Sequence, residues 1–210
     1  PTGDVVSVAE EMDLIVALDW MMLEQVCAFF GAHRELDGCA VSVNFSARQF
    51  LAPDAERRVL DTLERHGLAP TRLKLELTER VLAGDIRRVR AVMEALAARG
   101  VEFYLDDFGT GYSNLSSVVS LPLQYVKVDR SLLEAATNGG GGALLLRAVV
   151  ETFRAMGRGI LLEGVETPEQ YALACTLRAD RLQGYYLARP MPGEELCALM
   201  RSGARRTRRT

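Results

Sequence analysis

Six short runs in this sequence read as strands, the first three by alternating apolar and polar residues with a two-residue period, and segments with the longer period of a helix separate most of them. The runs are Ala40–Ser46, Arg72–Thr78, Val101–Asp107, Gln124–Val128, Gly159–Leu162 and Asp180–Leu187. Two strands joined through a helix run parallel, because an antiparallel pair needs only a hairpin between its members. Crossovers of this kind share one hand, so the loops leaving the strands gather on one face of the sheet. The chain is thereby restricted to a parallel α/β fold. Polar residues stand where the runs end: Asn44, Glu76, Asp106 beside Asp107, Lys127, Glu163 and Gln183, with Glu79 just beyond the second run. In a (β/α) barrel that end of the strands holds the active site.

The intervening segments read as helices over Ser7–Phe30, Pro53–His66, Asp85–Ala98, Ala143–Met156 and Pro192–Met200, and another starts at Thr167-Pro168. Glu10, Glu11 and Asp13 suit the positive end of the first helix. Trp20, Met21 and Met22 within it read as packing against the sheet. The glycine run Asn138–Gly142 reads as a flexible connection, since no Lys-Ser/Thr follows to make it a phosphate loop. A closed barrel needs eight strands and about 250 residues. This chain has 210 residues and six strand-like runs, so two N-terminal strands are expected to lie outside it. The expected division is one barrel domain over residues 1–200 and an Arg-rich, solvated tail over 201–210.

Charge and residue usage narrow the chemistry. A net charge of −3 with mixed signs argues against a surface for a DNA or RNA duplex. No stretch reads as a membrane span or signal peptide. The four cysteines are scattered without a CxxC pair, which fits a reduced, cytoplasmic protein and disfavours zinc. His33 and His66 both fall in helix-end or loop sequence, so acid–base work passes to carboxylates, Lys127 or metal-bound water. Adjacent carboxylates at Asp106 and Asp107 repel unless a cation or proton lies between them. Asn44, Glu76, Asp106, Asp107 and Glu163 offer oxygen donors only, which selects Mg²⁺ or Mn²⁺ over softer metals. Five such donors exceed what one magnesium usually takes, and two ions suit in-line displacement at phosphorus. Lys127 would polarise the attacking water or hold a non-bridging oxygen. Metal-dependent phosphodiester hydrolysis follows, although enolisation or aldol chemistry in a barrel would use a similar set.

The motifs themselves resemble a known family. Asn44-Phe45-Ser46, Glu76-Leu77-Thr78-Glu79, Asp106 to Ser113 (DDFGTGYS), Lys127-Val128-Asp129-Arg130, Glu163 to Thr167 (EGVET) and Gln183-Gly184-Tyr185 occur in the order and spacing of EAL-type cyclic di-GMP phosphodiesterase domains. The resemblance covers Ala9 to Pro192. It implies a TIM-like (β/α) barrel that hydrolyses cyclic di-GMP to linear pGpG with two Mg²⁺ or Mn²⁺ ions. Asn44, Glu76, Asp106, Asp107 and Glu163 would be metal ligands, with Asp106 bridging the ions. Lys127 would orient the attacking water, Glu163 would assist as base and Gln183 would place water or substrate. Glu79 would brace the loop from Phe108 to Ser113, which includes Gly109, Thr110 and Gly111 and through which the family couples metal binding to dimer contacts, and Glu166 would lie at the substrate side.

The resemblance also implies a homodimer, governed by signalling domains N-terminal to this chain and part of a cytoplasmic, or membrane-anchored, whole. The departures are equally specific. The tripeptide that names the family, with its metal-ligating glutamate, and the substrate-binding arginine that follows it are read as absent from this sequence and as belonging to the N-terminal strands outside it. Val5 stands where an aromatic is usual, and Leu162 where a small residue precedes Glu163. No diguanylate cyclase signature is present. A catalytically inactive cyclic di-GMP receptor and a docking scaffold that binds no nucleotide are the competing readings.

Overall fold

The computed structural model describes residues 14–78, 85–109 and 115–202. Its strands are β1 (Val41–Asn44), β2 (Leu73–Thr78), β3 (Glu102–Phe108), β4 (Tyr125–Val128), β5 (Gly159–Leu162) and β6 (Arg181–Leu182). All pairings are parallel and the order across the sheet is the order along the chain. A doubly wound sheet reverses its order partway and places helices on both faces. Here the order never reverses, so same-handed crossovers keep the helices on one face and the sheet curls as part of a barrel.

Alternation along each strand divides the two faces. Leu73, Leu75 and Leu77 of β2, Phe103 and Leu105 of β3, Val126 and Val128 of β4, and Ile160 and Leu162 of β5 are buried in one apolar core. The helices that complete this core are α1 (Ile15–Ala32), α2 (Ala47–Phe50), α3 (Ala55–Arg65), α4 (Ile86–Ala97), α5 (Leu115–Ser120), α6 (Arg130–Thr137), α7 (Gly142–Ala155), α8 (Pro168–Thr176) and α9 (Gly193–Arg201). Leu23 and Cys27 of α1, Val89 and Met93 of α4, and Val150 and Phe153 of α7 face inward. The alternate strand positions, Lys74 and Glu76, Tyr104 and Asp106, Tyr125 and Lys127, therefore occupy the opposite, inner face.

Several expectations are corrected by the packing. Trp20 is buried, but Met21 and Met22 are 47% and 43% exposed, because three consecutive helical residues cannot share one face. Helix α1, at 18 residues with a mean hydropathy of 1.4, does reach the length and apolarity of a membrane span, contrary to the sequence reading. Its length serves the sheet: Leu23, Cys27 and Phe30 pack into the core, and Asp19 is buried beside them. The last strand is Arg181–Leu182 alone, not Asp180–Leu187, since the chain folds back over Val165 through Val165 N to Gln183 O (3.0 Å) and Tyr186 N to Val165 O (2.9 Å). The glycine run joins two helices, and α6 was not foreseen; Asp129 caps it by accepting from Ser131 N at 2.9 Å. The acidic residues Glu10, Glu11 and Asp13 and most of the Arg-rich tail lie outside the described residues.

Glu24 ties α1 to the end of α3, accepting from Arg65 Nη1 at 2.7 Å and meeting His66 Nε2 at 2.7 Å. Hydrogen bonding by His66, then by Arg65, holds its carboxyl below the usual carboxylate range. A depressed acid contributes stability above its unfolded pKa and loses it as pH falls through the folded one. Because Glu24 is 41% exposed, solvent limits the contribution to about 1 kcal/mol at most. Glu24→Gln is expected to lower Tm slightly at pH 7, and in thermal scans the difference from wild type should shrink as pH falls below the ordinary glutamate range and vanish once pH is below the folded pKa.

Candidate active site

Lys127 is the centre of the inner face. It sits on β4 between β3 and β5, and parallel register brings an acid to it from each side. Its Nζ lies 2.7 Å from Asp106 Oδ1 and 2.9 Å from Glu163 Oε1, while Glu76 reaches across from β2 to 2.8 Å. Burial works against the ammonium charge, but Asp106 and Glu76, then Glu163, outweigh it and hold the lysine pKa above its ordinary value. Glu163 shows the opposite balance. Burial raises its carboxyl pKa, and the attraction of Lys127 recovers only part of that shift.

Adjacent residues of a strand ordinarily face opposite ways, which would send Asp106 and Asp107 to different sides. The β3–β4 register shifts between Leu105 and Phe108, and Asp107 adopts φ 56°. This bulge turns the second carboxylate back toward the first, and Asp107 N donates to Asp106 Oδ1 at 3.0 Å. One carboxylate oxygen each from Asp106, Asp107 and Glu163 then falls within 4.8 Å of the others. A left-handed backbone at a non-glycine residue is uncommon and clusters at functional positions.

Donor chemistry and charge both fit a hard divalent cation. Three buried or half-buried carboxylates converge on one ammonium, leaving negative charge in excess where burial makes it costly. Asp106, Asp107 and Glu163 present only oxygens, the donors that Mg²⁺ and Mn²⁺ take. Glu76 meets this group through Lys127, and Asn44 stands beside Glu76 in the β1–β2 register on an exposed strand end.

Other expected residues are placed less centrally. Gln183 is exposed and lines a cavity of about 420 Å³ with Arg130, Gly164, Glu166, Tyr185 and Arg189. Glu166 lies 3.7 Å from Arg130 Nη1. Phe108 closes β3, and its ring is buried edge-on against Phe153 at 4.7 Å, so its part in the following loop is to anchor it in the core. Gly109 has φ 111° with Leu132 Cδ1 where a Cβ would be, 2.5 Å away. Glu79, Thr110 and Gly111 lie outside the described residues. The letters Glu94-Ala95-Leu96 do spell the family's tripeptide, but within α4, where Glu94 is 60% exposed and 3.5 Å from Arg90. They occupy a helix, not the end of a strand.

Sequence reasoning missed the layer beneath the acids. Lys74 pairs with Glu102 at 2.9 Å, the Tyr104 hydroxyl donates to Glu102 at 3.1 Å, and Arg181 donates to Tyr104 and lies 4.2 Å from the Tyr125 ring centroid. The signal was available: Lys74, Tyr104 and Tyr125 each precede a site residue by two positions, which puts them on the same face. Gly184 adds a steric constraint, because a Cβ there would lie 2.2 Å from Val165 O. Gly184→Ala is expected to destabilise the fold by about 3 kcal/mol, since backbone cannot yield as a side chain can; chemical denaturation would measure it.

A curled parallel sheet whose strand ends gather carboxylates about a lysine defines an α/β protein of the TIM-barrel class with a site suited to metal-assisted chemistry. The chain belongs to the EAL domain family, whose sequence model matches residues 1–190. It is 35% identical over 201 residues to the bifunctional diguanylate cyclase/cyclic di-GMP phosphodiesterase MucR of Pseudomonas aeruginosa, covering 93% of this chain and 29% of MucR. It is 30% identical over 196 residues to the signalling protein YkoW of Bacillus subtilis, covering 93% of this chain and 24% of YkoW. The chain thus spans less than a third of these relatives' length. The solved complex of the MucR phosphodiesterase with cyclic di-GMP matches at TM-score 0.83 and 35% identity, over 92% of this chain and 79% of that one. The EAL domain of Mycobacterium smegmatis DcpA matches at TM-score 0.80 and 32% identity, over 86% and 82%.

Proposed function

We propose that this chain is a metal-dependent phosphodiesterase domain that hydrolyses cyclic di-GMP to linear pGpG. The observation that carries the reading is Lys127 held by Glu76, Asp106 and Glu163, with Asp107 turned into the same group. The likeness to a phosphodiesterase solved with cyclic di-GMP supports the substrate.

In this reading Asn44, Glu76, Asp106, Asp107 and Glu163 hold Mg²⁺ or Mn²⁺, two ions in all. Bound there, the ions lower the pKa of water and offset charge on the phosphoryl oxygens. Lys127, kept protonated by its acids, donates hydrogen bonds and fixes the positions of Glu76, Asp106 and Glu163. Glu163, beside Lys127 at 2.9 Å, accepts a proton from the attacking water. Gln183 orients water or substrate from the rim, and Glu166, which lines the same cavity, frames the substrate side. A homodimer, control by N-terminal signalling domains and a cytoplasmic location complete the proposal.

The test is turnover of cyclic di-GMP followed by chromatography of the product. Formation of pGpG with Mg²⁺ or Mn²⁺, abolished by EDTA and by Glu163→Ala, is the expected result. Tight binding without turnover would instead identify a receptor, and absence of both would leave the barrel a docking scaffold.

A further inference from the structure

Helix α1 decides where the end of β1 sits. Among the described residues β1 is an edge strand, paired only with β2, so its last residues have a ladder partner on one side alone. On that side Phe45 N donates to Glu76 O at 2.8 Å. On the other, α1 takes over. Ser46 N donates to Asp19 Oδ2 at 3.3 Å as well as to Gln49 Oε1 at 2.9 Å. The next residue of α1, Trp20, packs edge-on against the Phe45 ring at 5.2 Å, with Arg58 4.2 Å from the Trp20 ring centroid. The two residues that follow Asn44 are thus clamped from α1, one through its ring and one through its amide.

Asp19 is the unexpected member. It is only 8% exposed, on a helix whose other buried residues are Ile15, Trp20, Leu23, Cys27 and Phe30. A carboxylate in such surroundings is costly, and an apolar residue would serve packing better. Its hydrogen-bonded partner immediately follows Asn44-Phe45, and Asn44 stands beside Glu76 in the strand register.

We propose that Asp19 is a positioning residue for the metal site: through Ser46 N it fixes the turn that presents the Asn44 side chain next to Glu76. This rests on the reading that Asn44 is a metal ligand. Groups that orient a ligand in this way typically change metal affinity by about 10–100-fold when removed.

The experiment is Mn²⁺ titration of the full chain, read by the electron paramagnetic resonance signal of free Mn²⁺, which needs no turnover. Wild type, Asp19→Ala, Asp19→Asn, Asn44→Ala and the Asp19→Ala/Asn44→Ala double variant are compared, with circular dichroism to establish folding. Asp19→Ala is expected to raise the Mn²⁺ Kd by about 10-fold. Asp19→Asn, which keeps an acceptor oxygen without its charge, should raise it by about threefold. The double variant should be no weaker than Asn44→Ala alone, because both act through one ligand. Multiplying losses, or a folded Asp19→Ala that binds like wild type, would overturn the proposal. If Asp19→Ala does not fold, an unchanged Kd in folded Asp19→Asn overturns it equally. An Asn44→Ala variant that binds Mn²⁺ normally, or a wild type that binds none, would instead remove the ligand reading and this inference with it.

Discussion

Lys127→Met should cost the metal-free protein about 3–5 kcal/mol of stability and reduce turnover of cyclic di-GMP by about 10²–10³-fold. The stability loss arises because one ammonium serves three acids at 2.7–2.9 Å, and its removal strands Glu76, Asp106 and Glu163 together. Such a loss should shrink as pH falls from 7 toward 4, since the stranded carboxylates can then take up protons in place of the lost cation. Added Mn²⁺ should recover much of it, because the ion supplies the missing positive charge. Denaturation across pH with and without Mn²⁺ would check all three statements. The wild-type lysine behaves in the opposite sense. Its folded pKa is raised, so its contribution is fully present below about pH 10.4 and is lost only as pH rises through the folded value.

Asp106→Asn should leave the fold nearly intact while abolishing measurable turnover and weakening Mn²⁺ binding by more than about 100-fold, beyond the effect of an outer-layer change. The amide oxygen can still accept from Asp107 N, the bond that holds the bulge together. What disappears is the charge opposite Lys127 and the carboxylate that completes the group with Asp107 and Glu163. Because Asp106 contributes most to raising the Lys127 pKa, the variant's lysine should titrate lower than in wild type, measurable by NMR of the Nζ-labelled side chain. A variant that kept wild-type Mn²⁺ affinity would remove Asp106 from the ligand set.

The sheet was legible because its strands are local apolar runs, several with a two-residue period. Val41–Asn44 and Leu73–Thr78 sit within segments that alternation marks out, and Gly159–Leu162 coincides with a short apolar run. Helix α8 begins where Thr167 and Pro168 say it should, with the Thr167 side chain accepting from Gln170 N. Local chemistry failed where a distant partner set the geometry. The final strand stops at Leu182 because Val165, from the β5 loop, captures the backbone of Gln183 and Tyr186. Met21 and Met22 face outward because Trp20 takes the place against Phe45.

The same division runs through the site. The sequence alone determined which atoms are available: oxygen donors and one lysine at successive strand ends, without sulfur or imidazole among them. It determined too that those ends share a face, since parallel strands joined by same-handed crossovers leave no other arrangement. Only the tertiary structure decided that Lys127 binds an acid 51 residues away, that a bulge brings Asp107 back beside Asp106, and that Asp19 reaches the turn after Asn44. Strand register, backbone bulges and helix docking are settled by pairing and packing between segments far apart in the chain, and no local pattern records them.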